Sequence, residues 1–363
     1  MIRPTIAFCG PIAARTGPAA GGVESGTRGI ILELERRGFD VIELPYPSPD
    51  RHKSAITKGV AYAVSLPMVF VRLLLNACRY DVLHCTILYR HFIYSELSYV
   101  VLARFLRKRV FLHVRPGDWW VHYQRRSAIY RYCFRTVARL SQCVAVESQS
   151  LLEPMRSLGV DPVYVPSFVT ASPEKRYDRS TVHDQLRLVY VGALSDAKGL
   201  PTILAARRLL ACRGLNASLT LAGDGDPEYV SSMRSLYAEP EVEWNGPVAH
   251  ESVRALMRRA HFFLFPTTFI GEGHSNALNE CMAEGVVPVV SDHGANRHVV
   301  ADGGLVLPSS VRPDAYAEAV EKIWRSGEWA ERSARCVEVI SQLFYGPVVM
   351  SRIEGAYATM TGR

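Results

Sequence analysis

Short apolar runs alternate with longer stretches of helical periodicity along the whole chain, a rhythm that predicts parallel sheets covered by helices. Thr5–Cys9 reads as a strand, Gly26–Arg37 as a helix and Val41–Leu44 as the next strand. Val82–Cys85, Val110–Val114 and Cys143–Val146 follow, each after a helical pattern. The same grammar restarts with strand Leu186–Val191, loop Gly192–Lys198, helix Leu200–Arg213 and strand Ala217–Ala222, which runs into Gly223, Asp224 and Gly225. Between the halves, Pro166–Gln185 is rich in Pro, Ser and charge and lacks apolar periodicity, so it reads as a linker. The expected fold is α/β, with a Rossmann-like domain at 1–166, a linker at 167–185 and a second such domain at 186–344. Tyr345–Met360 reads as a last helix within the terminal segment 345–363. Ligands of such sheets sit beyond the carboxyl ends of the strands, which points to a cleft between two domains.

Candidate chemistry concentrates between Phe265 and Asp292. Glu272 and Glu280 stand there with seven residues between them, across a junction from polar turn to helix. Glu272, Gly273 and Ser275 follow the apolar strand Phe262–Phe265, and Asn276–Glu284 then reads as a helix with Leu278, Met282 and Ala283 inward. A helix start reached from such a turn favours an anion, because its dipole is positive and its first amides lack partners in the helix. A glycosidase acid/base pair fits poorly. Eight residues of helix span about 12 Å, whereas inverting carboxyls lie about 6.5–9.5 Å apart. Two solvated surface glutamates are the plainer alternative.

This string resembles the E-x7-E signature of retaining glycosyltransferases of family 4, whose GT-B fold has two facing Rossmann-like domains. Other segments fit in order: YVGALSDAKGLPTI (Tyr190–Ile203), LTLAGDGD (Leu219–Asp226), Val242–Pro266 and, in the first half, GGVESGTRGIILELERRGFDVIEL (Gly21–Leu44). The resemblance implies that Glu272 touches the donor sugar, that Glu280 holds the ribose hydroxyls and that the amides of Gly273, His274, Ser275 and Asn276 hold the diphosphate. It also implies a phosphate-binding charge on Lys198, close backbone approach at Gly21, Gly22 and Gly192, and a place for His113 near the reacting carbon. The same fold implies that the last helix, within 345–363, crosses back to the first domain. His84 ends a strand in the same way as His113, with weaker support. The implied activity is transfer of a sugar from a nucleoside diphosphate donor to a hydroxyl of a glycan or lipid-linked acceptor. No cofactor and no metal are expected beyond this co-substrate, and Asp224 with Asp226 is read as part of a turn.

Two residues depart from the family pattern. Ala193 stands where many relatives have an arginine, and Arg115 is a candidate to replace that charge. His274 replaces a residue that is commonly aromatic or apolar. These departures leave two other readings open, a nucleotide-sugar epimerase of the same fold and a catalytically degenerate binding subunit.

Composition and charge add a surface. Met1–Thr170 carries 22 Lys and Arg against 12 Asp and Glu, whereas the remainder is slightly acidic. Arginines between Arg104 and Arg139 are interleaved with aromatics, and Arg115, Trp119, Trp120, Arg125 and Arg126 read as an acceptor or anionic membrane surface. A solvated helix face is the competing reading, and no nucleic-acid motif accompanies the charge. Val60–Cys78 is long and apolar but broken by Pro67 and Arg72, so it reads as a buried helix rather than a span, with a helix dipping into a bilayer face as the alternative. Eight scattered cysteines read as reduced, buried small hydrophobes. With no leader pattern at Met1–Cys9, the expectation is a cytoplasmic protein, peripheral at most on the inner face of the membrane.

Overall fold

The computed structural model describes residues 3–15, 22–46, 55–87, 92–173, 185–309 and 312–362. The chain divides into two compact units, Met1–Thr170 together with Gly346–Arg363, and Ala171–Tyr345.

The first unit begins β1 (Ile6–Pro11), α1 (Gly22–Arg36), β2 (Val41–Tyr46), α2 (Ala55–Leu75) and β3 (Val82–Ile87). It continues with α3 (Phe92–Phe105), β4 (Arg109–Val114), α4 (Trp119–Gln124), α5 (Ala128–Leu140), β5 (Cys143–Val146), α6 (Leu152–Ser157) and β6 (Pro162–Tyr164). Its six strands are parallel in the order β2-β1-β3-β4-β5-β6. Strand alternation sends side chains to two cores. Leu83, Leu112 and Val144 meet α2, α3 and α5 on one face. Phe8, Phe111 and Ala145 meet α1 and the last helix of the chain on the other.

The second unit runs β7 (Leu186–Val191), α7 (Leu200–Cys212), β8 (Ala217–Ala222), α8 (Pro227–Leu236), β9 (Val242–Trp244), α9 (His250–Arg258) and β10 (Phe262–Phe265). Then come α10 (Asn276–Ala283), β11 (Val287–Ser291), α11 (Asn296–Val300), β12 (Leu305–Leu307), α12 (Pro313–Ser326) and α13 (Trp329–Val339). The sheet is again parallel, ordered β12-β11-β10-β7-β8-β9. The final helix, α14 (Gly346–Thr361), belongs to the first unit.

Several bounds differ from the sequence reading. Helix α1 starts at Gly22, four residues early, because burial of Thr27, Ile30, Ile31 and Leu34 outweighs the poor helix propensity of Gly22 and Gly26. Strand β2 runs on through Pro45, which an edge strand tolerates. Ser167–Thr170, expected in the linker, belong to the first unit, where the Val169 carbonyl accepts a 2.8 Å hydrogen bond from the Gly346 amide. Cys78 and Cys212 are exposed rather than buried, although none of the eight cysteines forms a disulfide.

Candidate active site

In the second unit, the carboxyl ends of β7, β8 and β10 open into the loops that hold the expected donor-binding residues. Gly192 and Gly223 follow β7 and β8 directly, and their backbones touch. A Cβ on Gly223 would lie 1.8 Å from the Gly192 carbonyl oxygen, and Gly223 has φ 146°. The Ala193 carbonyl accepts from the Tyr190 hydroxyl at 2.8 Å, which fixes the loop. Lys198 ends the short turn before α7, and the chain reverses at Gly199, φ 80°, hard against Pro266.

Lys198 Nζ pairs with Glu272 Oε2, and its ammonium lies 4.5 Å from the centre of the Phe269 ring. Glu272 is only 8% exposed, and the same carboxylate oxygen accepts from Thr267 Oγ1 at 3.1 Å. Two residues expected on different parts of a donor therefore form one ion pair, each compensating the other's partly desolvated charge. Just after Glu272, Gly273 and Ser275 lead into α10. Ser275 is its N-cap residue but makes no side-chain cap hydrogen bond, so the positive end of this helix is left to backbone chemistry. Glu280 lies inside α10, half-buried.

His274 turns inward. Its Nε2 meets Asn279 Oδ1 at 2.9 Å, and its ring packs edge-on against Phe344. The side chain thus fastens the loop to the unit's own interior. Asp226 caps α8 by accepting from the Tyr229 amide at 3.0 Å, and Asp224 accepts from the Gly225 amide at 2.9 Å, which makes both of them turn residues.

In the first unit, His113 is the penultimate residue of β4 and is buried. Its Nδ1 lies 3.4 Å from His84 Nε2, and His84 Nδ1 lies 2.6 Å from the Tyr357 hydroxyl on α14. With the phenol donating to His84, the proton on His84 Nε2 points to His113 Nδ1, leaving His113 protonated on Nε2. Burial first, and the Arg115 charge second, push the His113 pKa down to about 3, against the pull of Glu147. His84 is also lowered well below its usual value, by burial and then by His113 and Arg115.

Arg115 corrects the sequence reading. Rather than facing an acceptor, a membrane or a phosphate, it is buried, with Nη2 2.8 Å from Glu147 Oε1 and Nη1 donating to Thr27 Oγ1 (2.8 Å) and the Val23 carbonyl (3.0 Å). Its guanidinium lies where a side chain on residue 26 would be: a Cβ on Gly26 would sit 2.4 Å from Nη2. Burial raises the Glu147 pKa, but Arg115 and a 2.5 Å hydrogen bond from Ser167 outweigh it and hold the carboxyl below its ordinary range. Arg115 is thus committed within its own unit. Trp119 is a second correction, fully buried between Tyr123 and Phe134. Trp120 and Arg126 are half-buried, with Arg126 Nε 2.9 Å from His122 Nε2, and Arg125 is exposed. Gly22 opens α1, and Gly21 lies outside the described residues.

Glu147, Thr27, Thr267, Phe269 and Tyr357 did not stand out in the sequence. A signal existed for Glu147: Val114 and Val146 are register partners, so Arg115 and Glu147 each follow the end of neighbouring strands.

Residues 185–326 match the family described as Glycosyl transferases group 1. The phosphatidyl-myo-inositol mannosyltransferase of Mycobacterium tuberculosis is 26% identical over 231 residues, 60% of each chain. The alpha-D-kanosaminyltransferase of Streptomyces kanamyceticus is 27% identical over 163 residues, 43% of this chain and 41% of its own. The alignment thus spans about 60% of the length of the mannosyltransferase. Among solved structures, sucrose-phosphate synthase from Thermosynechococcus elongatus superposes with a TM-score of 0.75 at 18% identity, over 99% of this chain and 100% of its own. Anabaena Alr3699/HepE in complex with UDP gives 0.69 at 14%, with the same coverage. The fold is GT-B.

Proposed function

We propose that this chain, which carries a group 1 glycosyltransferase domain over residues 185–326, is a retaining glycosyltransferase that moves a sugar from a nucleoside diphosphate donor to a hydroxyl of a glycan or lipid-linked acceptor in cell-surface polysaccharide or glycolipid synthesis. The observation that carries this reading is the Lys198–Glu272 pair just ahead of the α10 N-terminus. A departing diphosphate needs preorganised positive potential, and a lysine with helix amides supplies it without a side chain having to reorient far. On binding, the diphosphate would take over Lys198, releasing Glu272 to accept hydrogen bonds from the donor sugar. Glu280 would clamp the ribose, since a carboxylate accepts from two vicinal hydroxyls. His113 would contact the sugar or the reacting carbon. Gly192 and Gly223, which touch through their backbones, leave no side chain between the loops and the phosphates.

A purified chain given a panel of nucleotide sugars, with membrane extract as acceptor source, should release nucleoside diphosphate. No release from any donor would sink the transferase reading, and isomerised free sugar would replace it with an epimerase. Glu280→Ala should weaken nucleoside diphosphate binding, whereas His113→Ala should lower turnover with binding retained. Losing Lys198 should cost at least about tenfold in turnover, since a charge-assisted hydrogen bond contributes about 1.5–3 kcal/mol. We infer a metal-independent reaction, to be checked as turnover unchanged by a chelator. Cysteines in thiol form fit a reducing, cytoplasmic setting.

A further inference from the structure

Lys198 is the one cation of the loop Gly192–Lys198, and its ammonium is already paired with Glu272 Oε2. The two partners are held very differently. The Glu272 amide donates to the Phe269 carbonyl at 2.9 Å, and the Glu272 carbonyl is pressed by Gly294, where a Cβ would lie 2.5 Å from the oxygen. Ser291, which ends β11, donates to the Thr267 carbonyl at 2.6 Å, and His293 Nε2 donates to the Phe269 carbonyl at 2.7 Å. The segment that carries Glu272 is therefore braced along its length. Thr267, itself fully buried, holds the carboxylate with a 3.1 Å hydrogen bond to Oε2. Lys198, by contrast, reaches the pair from a three-residue turn on a flexible four-carbon stem. The ammonium is the half of the pair that can move.

This asymmetry decides what an incoming anion meets. An anion that draws Lys198 away leaves Glu272 in place, its side chain 10% exposed, with the Thr267 hydroxyl as its remaining partner among the described residues. A carboxylate so far removed from water is costly to leave without its cation. A ligand offsets that cost only if it brings hydroxyl donors to the carboxylate. An intact sugar donor brings them, and a spent nucleoside diphosphate does not.

We propose that Glu272 is an internal competitor for Lys198 that makes the site favour an intact sugar donor over the nucleoside diphosphate left after transfer, with Thr267 as the residue that positions it. The proposal rests on the transferase reading above. Once the sugar has gone, Glu272 loses its hydroxyl partners, recaptures Lys198 and loosens the hold on the departing nucleotide. Because residue 193 is alanine, no second cation of this loop masks the contest.

The test is calorimetric titration of the full chain with UDP, GDP, ADP and inorganic pyrophosphate, and with the nucleotide sugar that the donor panel selects. Glu272→Gln should bind the diphosphates at least about tenfold more tightly than the wild type and lose the preference for the sugar donor. In a Lys198→Met background the same substitution should change diphosphate affinity by less than about twofold. Thr267→Val should shrink the ratio of donor to diphosphate affinity at least about threefold, and Thr267→Ser should restore it. A merely structural threonine would move the thermal midpoint and leave that ratio alone, which would overturn its positioning role. Diphosphate binding that Glu272→Gln leaves unchanged or weakens overturns the competitor. Tightening of equal size without Lys198 overturns it too, since direct repulsion between carboxylate and phosphate would then be the cause. Nucleoside diphosphate release in the donor panel without such tightening overturns this proposal alone, whereas a chain that binds none of these ligands, as wild type or as variant, overturns the transferase reading with it.

Discussion

Arg115 and Glu147 show how much depends on a single buried pair. The two side chains are 2% and 6% exposed, and Glu147 Oε1 takes hydrogen bonds from both Arg115 and Ser167. Removing the arginine leaves an uncompensated carboxylate, which costs about 3–5 kcal/mol, whereas replacing both partners by apolar residues costs much less. Arg115→Ala should therefore lower the urea midpoint far more than the double variant Arg115→Met with Glu147→Leu. The histidines set a pH limit. His84 and His113 are neutral in the folded protein, but the unfolded chain takes up protons below about pH 6.5. Acid thus favours unfolding, and stability falls as pH drops below about 6.5, the His113 contribution being lost down to about pH 3. Urea titrations at neutral and mildly acidic pH check this, and His84→Gln should flatten the loss while lowering stability at neutral pH. Neither network was legible in advance, because each joins side chains from segments 29 to 273 positions apart.

At the scale of elements, the loops after β7 and β8 act as one piece. Gly223→Ala would push a methyl into the Gly192 carbonyl at a φ that L side chains rarely adopt, so the loops must part. We expect a loss of about 1–3 kcal/mol for the strained backbone and weakened nucleoside diphosphate binding, measured by thermal midpoint and calorimetry. β1, β3, β10 and β11 were readable from apolar runs because each is buried on both faces, and β2, β4, β5, β7 and β8 from short apolar runs between helical patterns. β6, β9 and β12 were not, since each has only three residues and closes a sheet edge. The helix start of α10 was readable for a different reason: a polar turn followed by an apolar-periodic segment marks it in the sequence.

For the molecule as a whole, the parallel α/β architecture and the placing of Lys198 and Glu272 on loops at strand ends follow from sequence pattern, and their pairing does not. The two lie 74 positions apart on loops of different strands, so only the folded sheet brings them together. The clustering of charge was visible in the sequence, but which arginines it leaves at the surface was not, as Arg115 demonstrates.

The first unit is also discontinuous along the chain, and that imposes an order on its making. Val349, Met350, Ile353, Tyr357 and Met360 of α14 complete the core built on Phe8 and Phe111. During synthesis, this face must wait uncovered while the entire second unit is translated, so the first half emerges early but matures late. Ribosome-stalled chains ending near Tyr345 should bind a hydrophobic dye or a holdase, and release it once α14 has emerged.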